Sequence, residues 1–155
     1  MGSVALLAAC ATPASVPLGT SESQTVATLG RPAAVFELPD GGRRLYYPLG
    51  GAQQFAWMLE FDREGRLVAN DQVHSDAFFA KVRVDHDTRD DVLRLLGPPA
   101  WTEYYGPSRR TGWVYPYAPN PMWNFVTTVI FDETGIVRSV QGGPDPRFDR
   151  GANRW

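Results

Sequence analysis

Two phrases of this chain occur twice, in the same order. Leu29-Gly30-Arg31-Pro32 returns as Leu96-Gly97-Pro98-Pro99, an offset of 67 residues, and Phe61-Asp62-Arg63-Glu64-Gly65 returns as Phe131-Asp132-Glu133-Thr134-Gly135, an offset of 70. Self-similarity at so long a period implies one small structural unit present twice, with a few residues added inside the second copy. Units of roughly 65 residues with so few apolar groups bury too little surface to stand alone. One joint domain is therefore expected, its two sheets joined edge to edge or sharing one core.

Each copy opens on a helix signal. Ser21-Glu22-Ser23-Gln24 reads as a capping box, and Thr88-Arg89-Asp90-Asp91 is its counterpart with Asp91 in place of the usual Glu or Gln. Val26 and Leu29 supply the apolar face of the first helix, and Val92, Leu93, Leu95 and Leu96 that of the second. Gly30 and Gly97 stop the helices in a left-handed conformation, and Pro32 and Pro99 forbid continuation. Strand signals follow at 33–38 and 44–48 in the first copy and at 101–105 and 112–116 in the second. Phe55, Trp57, Leu59 and Phe61 alternate with Ala56, Met58, Glu60 and Asp62, and Phe125, Thr127, Val129 and Phe131 repeat that parity. Phe-Asp-x-x-Gly then reads as a tight hairpin turn, with Asp bonding downstream amides and Gly at positive φ, before returning strands at 67–73 and 136–140. Between the copies, residues 75–84 pack Phe78 and Phe79 in a helical turn or a short strand. The fold class is α+β: two tandem units, each one short helix followed by three to four antiparallel strands, with the helices on one face of the sheet. The first repeat covers 20–74 and the second 75–141; the Gly- and Pro-rich residues 142–155 are expected to be disordered.

Composition is that of a globular chain, 43% hydrophobic and 21% charged. Fifteen Lys and Arg against 17 Asp and Glu leave a net charge of −2, which gives no nucleic-acid surface. No apolar run approaches the roughly 18 residues of a membrane-spanning helix. The single cysteine, Cys10, follows Val4-Ala5-Leu6-Leu7-Ala8-Ala9. That stretch resembles the end of a bacterial lipoprotein signal peptide, in which Leu and two small residues precede a lipidated Cys. The resemblance implies a signal remnant at 1–9, lipidation of Cys10 and a flexible tether over 10–19.

The order of motifs resembles the SmpA/OmlA (BamE-like) family of outer-membrane lipoproteins: a capping Ser or Thr, a short helix, Leu-Gly-x-Pro, an aromatic strand and Phe-Asp-x-x-Gly. The match is best over 88–140, where Trp113-Val114-Tyr115 takes the place of the aromatic strand, and looser over 21–68. The resemblance implies an α+β fold shared with the β-lactamase inhibitor proteins, which are tandem repeats of such a unit. It also implies an anchor on the periplasmic face of the outer membrane and a non-catalytic role supporting envelope proteins, with no cofactor. Family members of the assembly type have one unit and this chain two, so partner contacts do not carry across. The alternative reading is a periplasmic inhibitor that binds an enzyme through its sheet.

No catalytic set stands out. Asp85-His86-Asp87 reads as a solvated linker before the Thr88 cap rather than a metal site, since consecutive side chains in an extended loop diverge. His74 reads as a surface-loop residue. Arg109-Arg110 reads as a solvated pair, with anionic lipid headgroups as the alternative. The positive candidate is a partner-binding surface among the aromatics of 101–125: Trp101, Tyr104, Tyr105, Tyr115 and Tyr117, the last on the proline-stiffened loop 116–121. Mass spectrometry of the native protein is expected to show an acylated amino terminus at Cys10; an unmodified Met1 contradicts the anchor.

Overall fold

A computed structural model describes residues 11–50 and 53–148. Cys10, the apolar run before it and residues 149–155 lie outside the described residues. Helix α1 (Glu22–Leu29) leads into strands β1 (Ala34–Glu37), β2 (Arg43–Leu49), β3 (Phe55–Phe61) and β4 (Leu67–Gln72). A single helical turn, α2 (Asp76–Phe79), precedes α3 (Arg89–Leu96) and strands β5 (Trp101–Tyr105), β6 (Arg110–Asn120), β7 (Trp123–Phe131) and β8 (Val137–Pro144). The strands form two four-stranded antiparallel sheets, each a meander in chain order. Among the described residues no helix is long and apolar enough to cross a membrane.

Both long helices start and stop as their sequences dictate, with one refinement at each end. The Thr88 hydroxyl accepts the Asp91 amide (3.3 Å) while Asp91 Oδ2 accepts the Thr88 amide (2.9 Å), so the shorter acid completes the box. At α1 only half the box forms: Ser21 Oγ accepts the Gln24 amide, and the Gln24 side chain meets the Ser21 hydroxyl instead of its amide. The stop glycines adopt φ 85° with ψ −174° at Gly30 and φ 79° with ψ −174° at Gly97. This is extended backbone at positive φ, a region that is essentially glycine-only, rather than the left-handed helical conformation expected from sequence.

The Phe-Asp-x-x-Gly turns form as expected. Asp62 Oδ1 accepts the amides of Glu64 and Arg66 (3.0 and 2.9 Å), and Asp132 Oδ1 those of Thr134 and Ile136 (2.9 and 3.1 Å). Hydrogen bonds from the Thr134 hydroxyl and amides and from Arg138 hold the Asp132 carboxyl well below the usual carboxylate range. Each turn also completes a helix. The Gly65 carbonyl accepts the Glu22 amide (2.9 Å), and the Gly135 carbonyl the Arg89 amide (3.1 Å), which satisfies a first-turn donor that the helix cannot.

The buried apolar residues fall into three clusters. Val26 and Leu29 of α1 meet Leu45, Tyr47, Leu59, Phe61 and Leu67 on one face of the first sheet. The opposite face, with Tyr46, Ala56, Met58 and Val73, meets Phe78 of α2. Val92 and Leu96 of α3 turn toward Tyr115, Val129, Phe131 and Val137 of the second sheet. Arg44 Nη1 of β2 donates to the Arg94 carbonyl at the C-terminal end of α3 (2.8 Å), where a cation opposes the helix dipole. Of the two expected junctions, the edge-to-edge one is corrected: no ladder joins the two sheets, and Phe78 of α2 packs against the clusters of both.

Two boundary expectations are also corrected. The segment read as a tether over 10–19 is docked from Pro13 onward. Val16 is buried against the first sheet, Asn70 Nδ2 donates to the Pro13 and Val16 carbonyls (3.2 and 3.1 Å), and Gly19 bonds Leu67 (2.7 Å). The segment read as disordered from 142 holds β8 to Pro144, and the buried Asp145 pairs with Arg147 (2.6 Å). Burial of one apolar side chain and one paired carboxylate orders stretches whose composition alone suggested otherwise.

Gly30 and Gly97 separate two costs. A Cβ at Gly30 meets nothing, whereas one at Gly97 drives into the Tyr46 ring. Gly30→Ala is expected to destabilise by about 1–3 kcal/mol from backbone strain alone. Gly97→Ala adds overpacking of about the same size, so its urea midpoint falls further.

Candidate functional site

The arms of the two sheets enclose an open cleft of about 550 Å³. One wall is β3 with Phe55 and Trp57; the other is the end of β6 with Tyr117, Ala118 and Pro119. Gln72, Ser75 and Asp76 give it a polar end, and His74 lies at its base. The side chains of Gln54 and Asn124 hydrogen-bond across the arms, which fixes their separation.

Proline placement explains how the arms extend past their first strands. The Tyr46 and Val114 carbonyls accept from Ala33 and Ala100 (both 2.9 Å), so the peptide groups of Pro48 and Pro116 turn toward the same side two residues later. There β1 and β5 have already ended, and the missing proline N–H leaves no ladder bond unmade. This is why β6 runs through Pro116 to Asn120, well beyond the expected 112–116.

Tyr117 is a wall and not a free contact. It is buried, its hydroxyl donates to Asp76 Oδ1 (2.7 Å), and its ring packs edge-on to Phe79 (5.0 Å). Burial, and then the Asp76 carboxylate, push its pKa up to about 12. Phe55 by contrast is exposed.

His74 is not a surface residue. It is 1% exposed, with Nδ1 3.2 Å from the Gln53 carbonyl and Nε2 3.1 Å from the Leu96 carbonyl. Its ring lies edge-on to Tyr115 (5.4 Å), so it bridges the turn before β3, α3 and β6. A neutral imidazole can donate to only one of those carbonyls. Burial lowers its pKa, while the carbonyls of Gln53, Leu96 and Pro116 draw it partly back.

The five expected partner-binding residues do not form one surface. Tyr115 is fully buried, its hydroxyl donating to the Gly97 carbonyl (3.1 Å), and Tyr117 is buried beside it. Trp101 and Tyr105 lie on the opposite face of the second sheet. There Glu103 accepts from the Trp101 indole (3.2 Å) and the Tyr105 hydroxyl (2.7 Å), and Arg147 stacks over the Trp101 ring at 4.4 Å. The hydrogen bond to Glu103, with burial, pushes the Tyr105 pKa up to about 12. Only Tyr104 is broadly exposed, at the β5 edge. A run of aromatics in a twisted strand divides between two faces, which is why proximity in sequence did not translate into one patch.

Of the remaining candidates, Asp87 folds back on Arg83, accepting its amide and Nε (2.9 and 2.8 Å), and Asp85 pairs with Arg138 (2.6 Å). Arg109 is held by Glu133 at 2.8 Å. From sequence, Phe55 and Trp57 read only as one face of an alternating strand, and Gln72 carried no signal of a site. The missed signal was Tyr47-Pro48 recurring as Tyr115-Pro116, which marks the arms in both halves.

The chain matches no family model, and neither a curated protein nor a solved structure matches it. For His74, a folded pKa below the ordinary 6.5 means that the unfolded chain takes the proton first as pH falls. Its contribution is complete above about pH 6.5 and is lost as pH drops toward the lowered folded value. His74→Gln is expected to unfold with a smaller pH dependence in that window. The His74 imidazole resonances of the folded wild type should show no titration until below pH 6.5.

Proposed function

We propose that this chain is a lipid-anchored accessory protein of the bacterial envelope, on the periplasmic face of the outer membrane. It holds an extended segment of another envelope protein in the cleft between its arms. The observation that carries this reading is the cleft itself: about 550 Å³, open, with Phe55 and Trp57 as apolar walls and Gln72, Ser75 and Asp76 as a polar end. Sites of that size and character take ligands by burying aromatic anchors while a few polar groups fix orientation. An open channel suits a passing chain better than an enclosed small molecule.

The same proposal includes one unit duplicated in tandem, with the ancestral helix set against its sheet. Equivalent hydrogen bonds support it: Tyr47 to the Gly30 carbonyl and Tyr115 to that of Gly97, and Glu22 to Gly65 and Arg89 to Gly135. The SmpA/OmlA-like order of motifs and the Cys10 signal support the envelope location. With the lead docked at Pro13, a lipid on Cys10 leaves about 10 Å of chain to the domain surface, a short leash.

A photoreactive residue at position 118 is expected to cross-link to one envelope protein, and Ala77→Arg, which fills the cleft, to abolish that adduct without lowering the melting temperature. A probe at position 64, on a distant turn, should not form it. An adduct shared by both positions, or one indifferent to Ala77→Arg, rejects the cleft.

A further inference from the structure

We infer that the tip of the β6–β7 arm, with the exposed Leu49 and Phe55 of the β2–β3 arm beside it, is a membrane-contact surface that settles into the lipid–water interface. Residues 45–59 and 111–131 contain no Asp, Glu, Lys, Arg or His, although the chain as a whole is 21% charged, which over these 36 positions corresponds to about seven charges. Each stretch is centred on an arm. The Gln54–Asn124 side-chain bond sets the start of β3 beside the β6–β7 tip.

Large apolar side chains crowd this end and point outward. Met122 is 79% and Trp123 57% exposed, and Phe148, Leu49 and Phe55 are exposed as well. Met122, Trp123 and Phe148 surround a shallow hollow of about 200 Å³. Among the described residues, the charges beside this hollow are paired: Asp145 is buried on Arg147, and that guanidinium lies over the Trp101 ring. At the far ends of the same strands, Asp62, Arg63, Glu64 and Arg66 and then Asp132, Glu133 and Arg138 face solvent or pair with one another.

The backbone of the β6–β7 tip is prepared for a site without water. Pro119 and Pro121 have no N–H, and the amides of Met122 and Trp123 both donate to Asn120 Oδ1 (3.0 and 3.2 Å). Turn donors satisfied within the turn are what the interior edge of a bilayer requires, since no solvent there replaces a missing partner. A protein interface tolerates a charged or wet rim; a charge-free tip led by Trp and Met fits the lipid boundary, where Trp is the preferred anchor. Membrane and cleft are compatible, because the cleft opens between these same arms, and the inference stands whether or not the cleft takes a partner.

The test uses the full chain without lipid and two vesicle types, phosphatidylcholine alone and phosphatidylcholine with phosphatidylglycerol. Binding is read by sedimentation and by the difference in fluorescence between wild type and Trp123→Phe. The expected result is binding to both vesicle types that changes little with salt, with a blue shift assigned to Trp123. Met122→Asp and Trp123→Asp should each weaken it about tenfold or more, since each removes a buried apolar side chain. Val68→Asp, an exposed apolar site on β4, should leave binding unchanged, and circular dichroism should show every variant folded. No binding to either vesicle overturns the inference. So does binding confined to anionic vesicles, lost in high salt and indifferent to Met122→Asp, which assigns the contact to arginines. A concentration-dependent dimer abolished by Met122→Asp also overturns it, in favour of a second copy of this chain.

Discussion

In each half, one tyrosine hydroxyl closes the short helix onto its sheet. Tyr47 donates to the Gly30 carbonyl at 3.0 Å and Tyr115 to the Gly97 carbonyl at 3.1 Å. A helix of eight residues is too short to persist on its own propensity, so it depends on what holds its ends. The tyrosine takes the C-terminal end, and the carbonyl of Gly65 or Gly135 takes an amide at the other. Because the glycine turns at positive φ with extended ψ, its carbonyl is presented to the sheet and the chain is delivered into β1 or β5. Helix, stop, central strand and hairpin turn thus form a closed circuit of hydrogen bonds, and the motifs that recur in sequence are the nodes of that circuit.

The halves are nevertheless unequal where they meet. Gly97 lies against the Tyr46 ring, Arg44 reaches the last turn of α3, and His74 stands between the carbonyls of Gln53, just before β3, and Leu96 of α3. Gly30 has no such neighbour. The helix α3 therefore touches both sheets, and the junction carries the buried His74, whose pKa burial lowers. The Tyr46 hydroxyl at this seam is buried without a partner among the described residues, and burial raises its pKa. That orphaned hydroxyl costs stability beside the polar pairs that Arg44 and His74 make at the same junction.

Charge and apolar surface are segregated along the strands. The turns at 62–65 and 132–135 are ionic, while the arms are neutral and aromatic. This separation places the cleft and the exposed tips at one end of the molecule and leaves the solvated face at the other.

The sequence by itself determined the local elements: the caps at Ser21 and Thr88, the stops at Gly30 and Gly97, the turns built on Asp62 and Asp132, and the alternating strand over 55–61. Those depend on contacts within a few residues, where side-chain chemistry and backbone preference decide the outcome. Tertiary structure alone decided that α3 touches two separate sheets, that His74 is buried, that residues 13–19 and 142–148 are docked, and that Trp101 and Tyr115 face opposite ways. It also decided that Phe55 and Trp57 share a cleft with Tyr117. Each of these is a pairing across tens of residues, set by which apolar face finds which partner, and periodicity records that a face is apolar without recording what covers it.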